Sequence, residues 1–308
     1  MVEQVVVGAA ATVPGPLTPS AALGTWTVDP AAVAVAVLLV AGQLWLVRRA
    51  RSRGHRWPWW RTAVGAVLGP GVLLLASCSF LAVYREVAFW PGALASALLL
   101  VVVPAGIAVG DPLRLLRLAG VLPPRQDDDA GRRLTRRVLA LPVVGALAGV
   151  ALQLALFLSP WWAATLRSGP VRSGTGLALV AVGTLFALPV FAADDGPGTG
   201  GTSGAAGLRV LLAFVDGVVD AVPGLVVGVS GAAVAGGWYV AHRLPGSMTA
   251  PQDQLLGGTL SVVVAEVVAV PLLLLACRRW ARADAAQAAR EDALLDALER
   301  GGPAVTDR

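Results

Sequence analysis

Lysine is missing from this 308-residue chain: all 24 of its basic side chains are arginine. Cysteine, methionine, histidine and tyrosine are nearly missing, with two of each. Charged residues make up 14% of the chain against 56% hydrophobic, too little polar surface to clothe a soluble globule of this length. The lysine gap, in a chain rich in Ala, Gly, Val and Leu, reads as a compositional habit and bears on no mechanism. It does exclude one site. The glycine-rich stretch DDGPGTGGTSGAAG (194–207) has no Gly-Lys-Ser/Thr after it and no strand before it, so it is a flexible linker and not a phosphate loop. No nucleophile–base pair and no metal box can be found, which argues against an enzyme.

What the chain does have is seven apolar runs separated by arginine blocks: 31–47, 62–82, 89–109, 138–158, 176–192, 210–234 and 257–277. Each is long enough for a helix to cross a hydrocarbon core of about 30 Å. The loop after the first run holds Arg48, Arg49, Arg51, Arg53, Arg56 and Arg61. The loop after the third holds Arg114, Arg117, Arg125, Arg132, Arg133, Arg136 and Arg137. The positive-inside rule makes both loops cytoplasmic and sends the alternate loops outward, where only Arg85, Arg167, Arg172 and Arg243 are found. The expected fold is therefore all-α, a polytopic membrane helix bundle of seven transmembrane helices with its N-terminus outside and its C-terminus in the cytosol of the plasma membrane.

The ten tryptophans fit this frame, because indole favours the headgroup layer where its N–H stays wet. Trp26, Trp90, Trp161, Trp162 and Trp238 fall at expected outer ends; Trp45, Trp57, Trp59, Trp60 and Trp280 fall at or beyond inner ones. A net charge of +5 and a pI near 10.4 would suggest nucleic acid in a soluble protein. Here topology and anionic headgroups account for the arginines, so the partner is the lipid bilayer and no nucleic acid is expected.

Residues 1–30, with Pro14, Pro16 and Pro30, lack the basic start of a cleavable signal and read as an outer segment. Residues 31–278 form the membrane domain, and 279–308 a cytosolic helical tail whose helix, 281–300, stops at Gly301 and Gly302. Glycines four apart, at Gly65 and Gly69, Gly145 and Gly149, and Gly224 and Gly228, would let helices approach closely.

Several segments carry a family likeness. They are PLTPSAALGTWTVDP (16–30) with Trp26, Asp29 and Pro30; RRARSRGHRWPWWR (48–61) with Trp57 and Pro58; SFLAVYREVAFW (79–90); VPAGIAVGDPLRLL (103–116) with Gly110 and Pro112; GTLFALP (183–189); and Asp253, Gln254, Gly257, Gly258 and Glu266 entering the seventh run. In this order and spacing they resemble the multi-pass CtaG-type cytochrome c oxidase assembly factors over roughly residues 16–295. The resemblance implies a role in copper supply to, or assembly of, haem-copper oxidases, with oxidase subunits or another assembly factor as partners.

The same resemblance implies paired histidines in the outer halves of the third and fifth runs and one in the sixth, where imidazole would suit copper. This chain has Gly92 and Ser96, Arg172 and Gly176, and Gly224 at those positions. His55 and His242 lie on opposite sides of the expected membrane and restore nothing, and Cys78 and Cys277 are too far apart to share a metal or a disulfide. A fixed cation at Arg172 would repel a copper ion. The chain is thus expected to be a histidine-depleted member with no metal and no cofactor.

Ionisable groups inside a span are costly and point to function by default. Asp216 and Asp220 share one face of the sixth run, and Glu266 sits in the seventh. At 1.5 Å per residue, Asp220 and Glu266 lie roughly 16 and 14 Å from their run ends, near mid-depth. They form a candidate intramembrane acidic site, and with it come two alternatives to an assembly factor: a small ion-coupled transporter, and a membrane scaffold that recruits a partner through the tail.

Overall fold

Every regular segment is helical, with no strand among the described residues. The computed structural model describes residues 14–122, 129–191, 203–235 and 237–301; within its helices the side chains of 129–142, 191, 203–209, 212–214, 216, 272, 275, 276, 279, 283, 294 and 297–301 lie outside it. A short helix α1 (Pro19–Gly24) leads into α2 (Pro30–Ser52), then α3 (Trp59–Ala66), α4 (Val72–Cys78), α5 (Phe80–Tyr84), α6 (Phe89–Ala97), α7 (Val103–Val109) and α8 (Pro112–Leu118). The second half comprises α9 (Asp129–Leu158), α10 (Trp161–Arg167), α11 (Gly169–Phe191), α12 (Ser203–Val229), α13 (Trp238–His242) and α14 (Ala250–Gly301).

Five of these stretches are each long and apolar enough to cross a membrane: Pro30–Ser52, Trp59–Tyr84, Phe89–Leu118, Gly169–Val190 and Ala250–Pro271. Val143–Leu158 makes a sixth only if it is counted with α10, into which the chain bends by 71°. In α12 the described apolar stretch is the shorter Gly217–Val229. The tail helix is not separate from the seventh run: α14 continues unbroken for 52 residues, about 78 Å at helical rise, far more than a hydrocarbon core.

Helix starts follow the local sequence. Asp29 caps α2, its Oδ1 accepting from the N–H groups of Ala31 and Ala32, while Pro30 fills the first turn where no N–H is needed. Two single π-turns interrupt the hairpin of the second and third runs, Val67–Gly71 around Pro70 and Leu98–Val102 just before Pro104. Proline has no N–H to give the carbonyl a turn below it. The freed Leu100 carbonyl is where Gly183 of α11 packs, so closely that a Cβ there would collide with it.

The glycines read as packing positions do lie at such contacts. Gly69 packs on Gly106, Gly145 on Phe186 of α11, and Gly224 on Gly258, with a Cβ at Gly224 falling 2.6 Å from the Gly258 carbonyl. Thus α12 lies along α14, α11 along α9, and α14 also against α6.

At the arginine-rich end, Trp57 is buried with Leu46, Val47, Ala50, Leu115 and Ala119. Arg61 and Arg114 lie over its ring, both 5.8 Å from the centroid. Arg61 also pairs with Asp111 at 3.2 Å. Asp111 holds the left-handed backbone (φ 45°) between Gly110 and Pro112 and caps α8 through the Arg114 N–H. Trp57 is therefore a core residue and not a headgroup anchor, a correction that applies also to Trp162. Both indoles are buried and find a partner inside, Thr62 for Trp57 and Tyr239 for Trp162.

Candidate functional site

A narrow cleft with a cavity volume of about 30 Å3 at water-probe size lies between α2, the α4–α6 hairpin, α10 and α11. Four of the five positions at which the resemblance implied copper ligands line it: Gly92, Ser96, Arg172 and Gly176. Gly224 does not; it is packed against Gly258 and Ser261 elsewhere.

The aromatic side chain in the cleft's lining is Trp162. Phe89, Phe157, Trp162 and Tyr239 form one cluster, with Trp162 5.4 Å from Phe89 and 5.1 Å from Phe157 between centroids. Trp162 donates its N–H to the Tyr239 hydroxyl at 2.8 Å, and that hydroxyl donates to the Arg85 carbonyl at 3.1 Å. The Arg85 guanidinium lies 5.2 Å over the Trp162 ring and donates to the Thr165 hydroxyl at 3.1 Å. Gly92 makes this possible, since a Cβ there would fall 2.7 Å from the Trp162 ring. The Trp162 indole and the Arg85 Cβ, the latter 3.2 Å from such a Cβ, together take up the room a side chain at position 92 would need.

The charges in the cleft are unevenly matched. Arg172 pairs with Glu86 at 3.1 Å. Asp29 sends Oδ2 to the Ser173 hydroxyl at 2.6 Å, tying the start of α2 to α11. Among the described residues Arg85 makes no ion pair with a carboxylate, and its Nε is buried without a hydrogen-bond partner. Burial pulls this guanidinium down to about 10, with neighbouring Arg172 adding to the fall and Tyr239 and Glu86 opposing it.

Copper chemistry does not fit the residues present. Imidazole, thiolate and thioether are absent from the lining, and no three His, Cys, Asp or Glu side chains come together among the described residues.

The motif entering the seventh run has a plain structural role. Asp253 reaches from α14 to α6 and accepts the N–H groups of Phe89 at 2.7 Å and Trp90 at 2.9 Å. Gln254 donates to the carbonyls of Val227, Ser230 and Ala232 and accepts from the Val234 N–H, gathering the end of α12. Gly257 leaves room for the Phe89 ring against α14, and Gly258 lets α12 close on it. Trp26 stays exposed, and Pro58 precedes α3.

Of the acids in the apolar runs, Asp220 lines a second cleft walled by Gly145, Gly149, Gly183 and Gly217 with Ala265 and Ala269. Glu266 does not line that cleft and is exposed on another side of α14. The Asp216 side chain lies outside the described residues. Arg85, Trp162 and Tyr239 are what sequence reasoning passed over. Arg85 counted only as one of four sparse outer arginines, and its buried Nε is a product of tertiary packing alone.

Long apolar helices and buried interhelical caps make this an integral membrane protein, multi-pass and all-helical. Residues 41–283 match the family described as cytochrome c oxidase caa3 assembly factor (Caa3_CtaG), and the chain belongs to that family. No curated protein and no solved structure matches it.

Proposed function

We propose that this protein is an accessory factor for cytochrome c oxidase assembly that acts by contact with oxidase subunits or another assembly factor, without copper of its own and without catalysis. The family match over residues 41–283 carries the reading. The case against resident copper draws on the cleft, where Trp162 and Arg85 fill the space beside Gly92, and Arg172 and Glu86 form an ion pair. We also place the chain in the plasma membrane with seven spans, N-terminus outside and tail in the cytosol. The skewed arginines support this topology, as does the buried Arg61–Asp111–Trp57 cluster at the arginine-rich end.

Oxidase activity and the haem a spectrum, measured in membranes from cells lacking this protein with and without added copper, test the proposal. The expected outcome is a loss that copper does not rescue. Rescue by copper would assign metal supply instead, and an unchanged spectrum would sink the assembly role.

A further inference from the structure

We propose that the cleft beside Arg85 is a binding site for a small oxyanion, a phosphate or carboxylate group. A buried cation with no counter-charge is costly, and proteins almost always supply one. Arg85 is half-buried and only partly answered among the described residues: its one hydrogen-bond acceptor is the neutral Thr165 hydroxyl, its face rests on Trp162, its Nε is buried with nothing to donate to, and Glu86 acts on it without a direct ion pair.

The nearest acid in sequence, Glu86, is taken by Arg172. Among the described residues the one carboxylate that lines the cleft, Asp29, already accepts from Ala31, Ala32 and Ser173. Arg85 and Arg172 both line this cleft, and a pair of guanidinium side chains around one space favours oxyanions. Gly92 and Gly176 keep side chains out of that space, and Trp162 holds the Arg85 fork in place from below. The anion therefore sits on the Arg85–Arg172 side, away from Asp29. This inference stands on the cleft alone and holds whether or not the protein assembles an oxidase.

The test uses the full chain purified in a maltoside detergent, which brings no phosphate. Inorganic phosphate and acetate are titrated while thermal unfolding and heat of binding are followed. Wild type is expected to bind saturably and to unfold at a higher temperature. Arg85→Gln should weaken binding at least about tenfold, the worth of a charge-assisted hydrogen bond. Arg172→Gln, which leaves Arg85 in place, should weaken it by a smaller factor, so the test survives if Arg85→Gln does not fold. Arg167→Gln, outside the cleft, should bind as wild type. No saturable response in wild type, or wild-type binding in both Arg85→Gln and Arg172→Gln, overturns the proposal.

Mixed micelles containing phosphatidylglycerol then identify the source. If the lipid abolishes the response to phosphate in wild type, a headgroup is the ligand; if the response persists, a free anion is.

Discussion

Asp253 shows how much a single side chain can hold. Its two oxygens take the first N–H groups of α6 from a helix 164 residues away in sequence, satisfying donors that no helix can satisfy for itself. Asp253→Ala leaves those donors buried and bare, which is expected to cost roughly 1–3 kcal/mol. Asp253→Asn keeps an acceptor oxygen and should lose less. Thermal unfolding of the purified variants checks this order, and an alanine variant as stable as wild type would remove the cap from the account. Gly92 matters for the opposite reason, as a side chain that must stay absent. Restoring histidines by Gly92→His with Ser96→His is expected to bind no more copper than wild type, because the new Cβ runs into Trp162. Metal analysis of the purified double variant reads the result.

At the scale of elements, the bundle depends on backbone meeting backbone. The α12–α14 pair closes through Gly224 and Gly258, the close approach that drives association where lipid offers no hydrophobic contrast. Gly258→Val would wedge the pair apart at a carbonyl that has nowhere to go. A loss of about 1–3 kcal/mol is expected from such overpacking, seen as a lower unfolding temperature. The spacing of small residues made these contacts legible in the sequence. The π-turns were not legible: their position depends on which carbonyl a proline leaves free and on what packs onto it, here Gly183 against Leu100. Nor was the continuity of α14, since a run of apolar residues and a run of charged ones look like two helices until the backbone joins them.

For the whole molecule, the acids within the apolar runs decide between assembly and transport. Asp220 faces one cleft and Glu266 the outside of α14, so these two carboxylates do not line the same cleft. Asp220→Asn with Glu266→Gln is therefore expected to leave oxidase activity near wild type, and a collapse of activity would revive transport. Removing residues 281–308 should likewise spare activity; its loss would favour a scaffold acting through the tail.

Composition and order along the chain determined that this is a helical membrane protein and which family it resembles, because hydropathy and charge asymmetry are summed over many residues and survive without coordinates. They also put glycine, serine and arginine where the resemblance implies histidine, which is a matter of residue identity. Only the tertiary structure decided what surrounds those positions. Gly92, Ser96, Arg172 and Gly176 come from two helices far apart in sequence, and Arg85 and Trp162 from two more segments between and beside them. Whether they surround a void, a metal or an unpaired cation depends on distances of a few ångströms across helix contacts. That Arg85 ends with its Nε buried and unanswered follows from how Trp162 settles into the space that glycine leaves, which no pattern along one chain encodes.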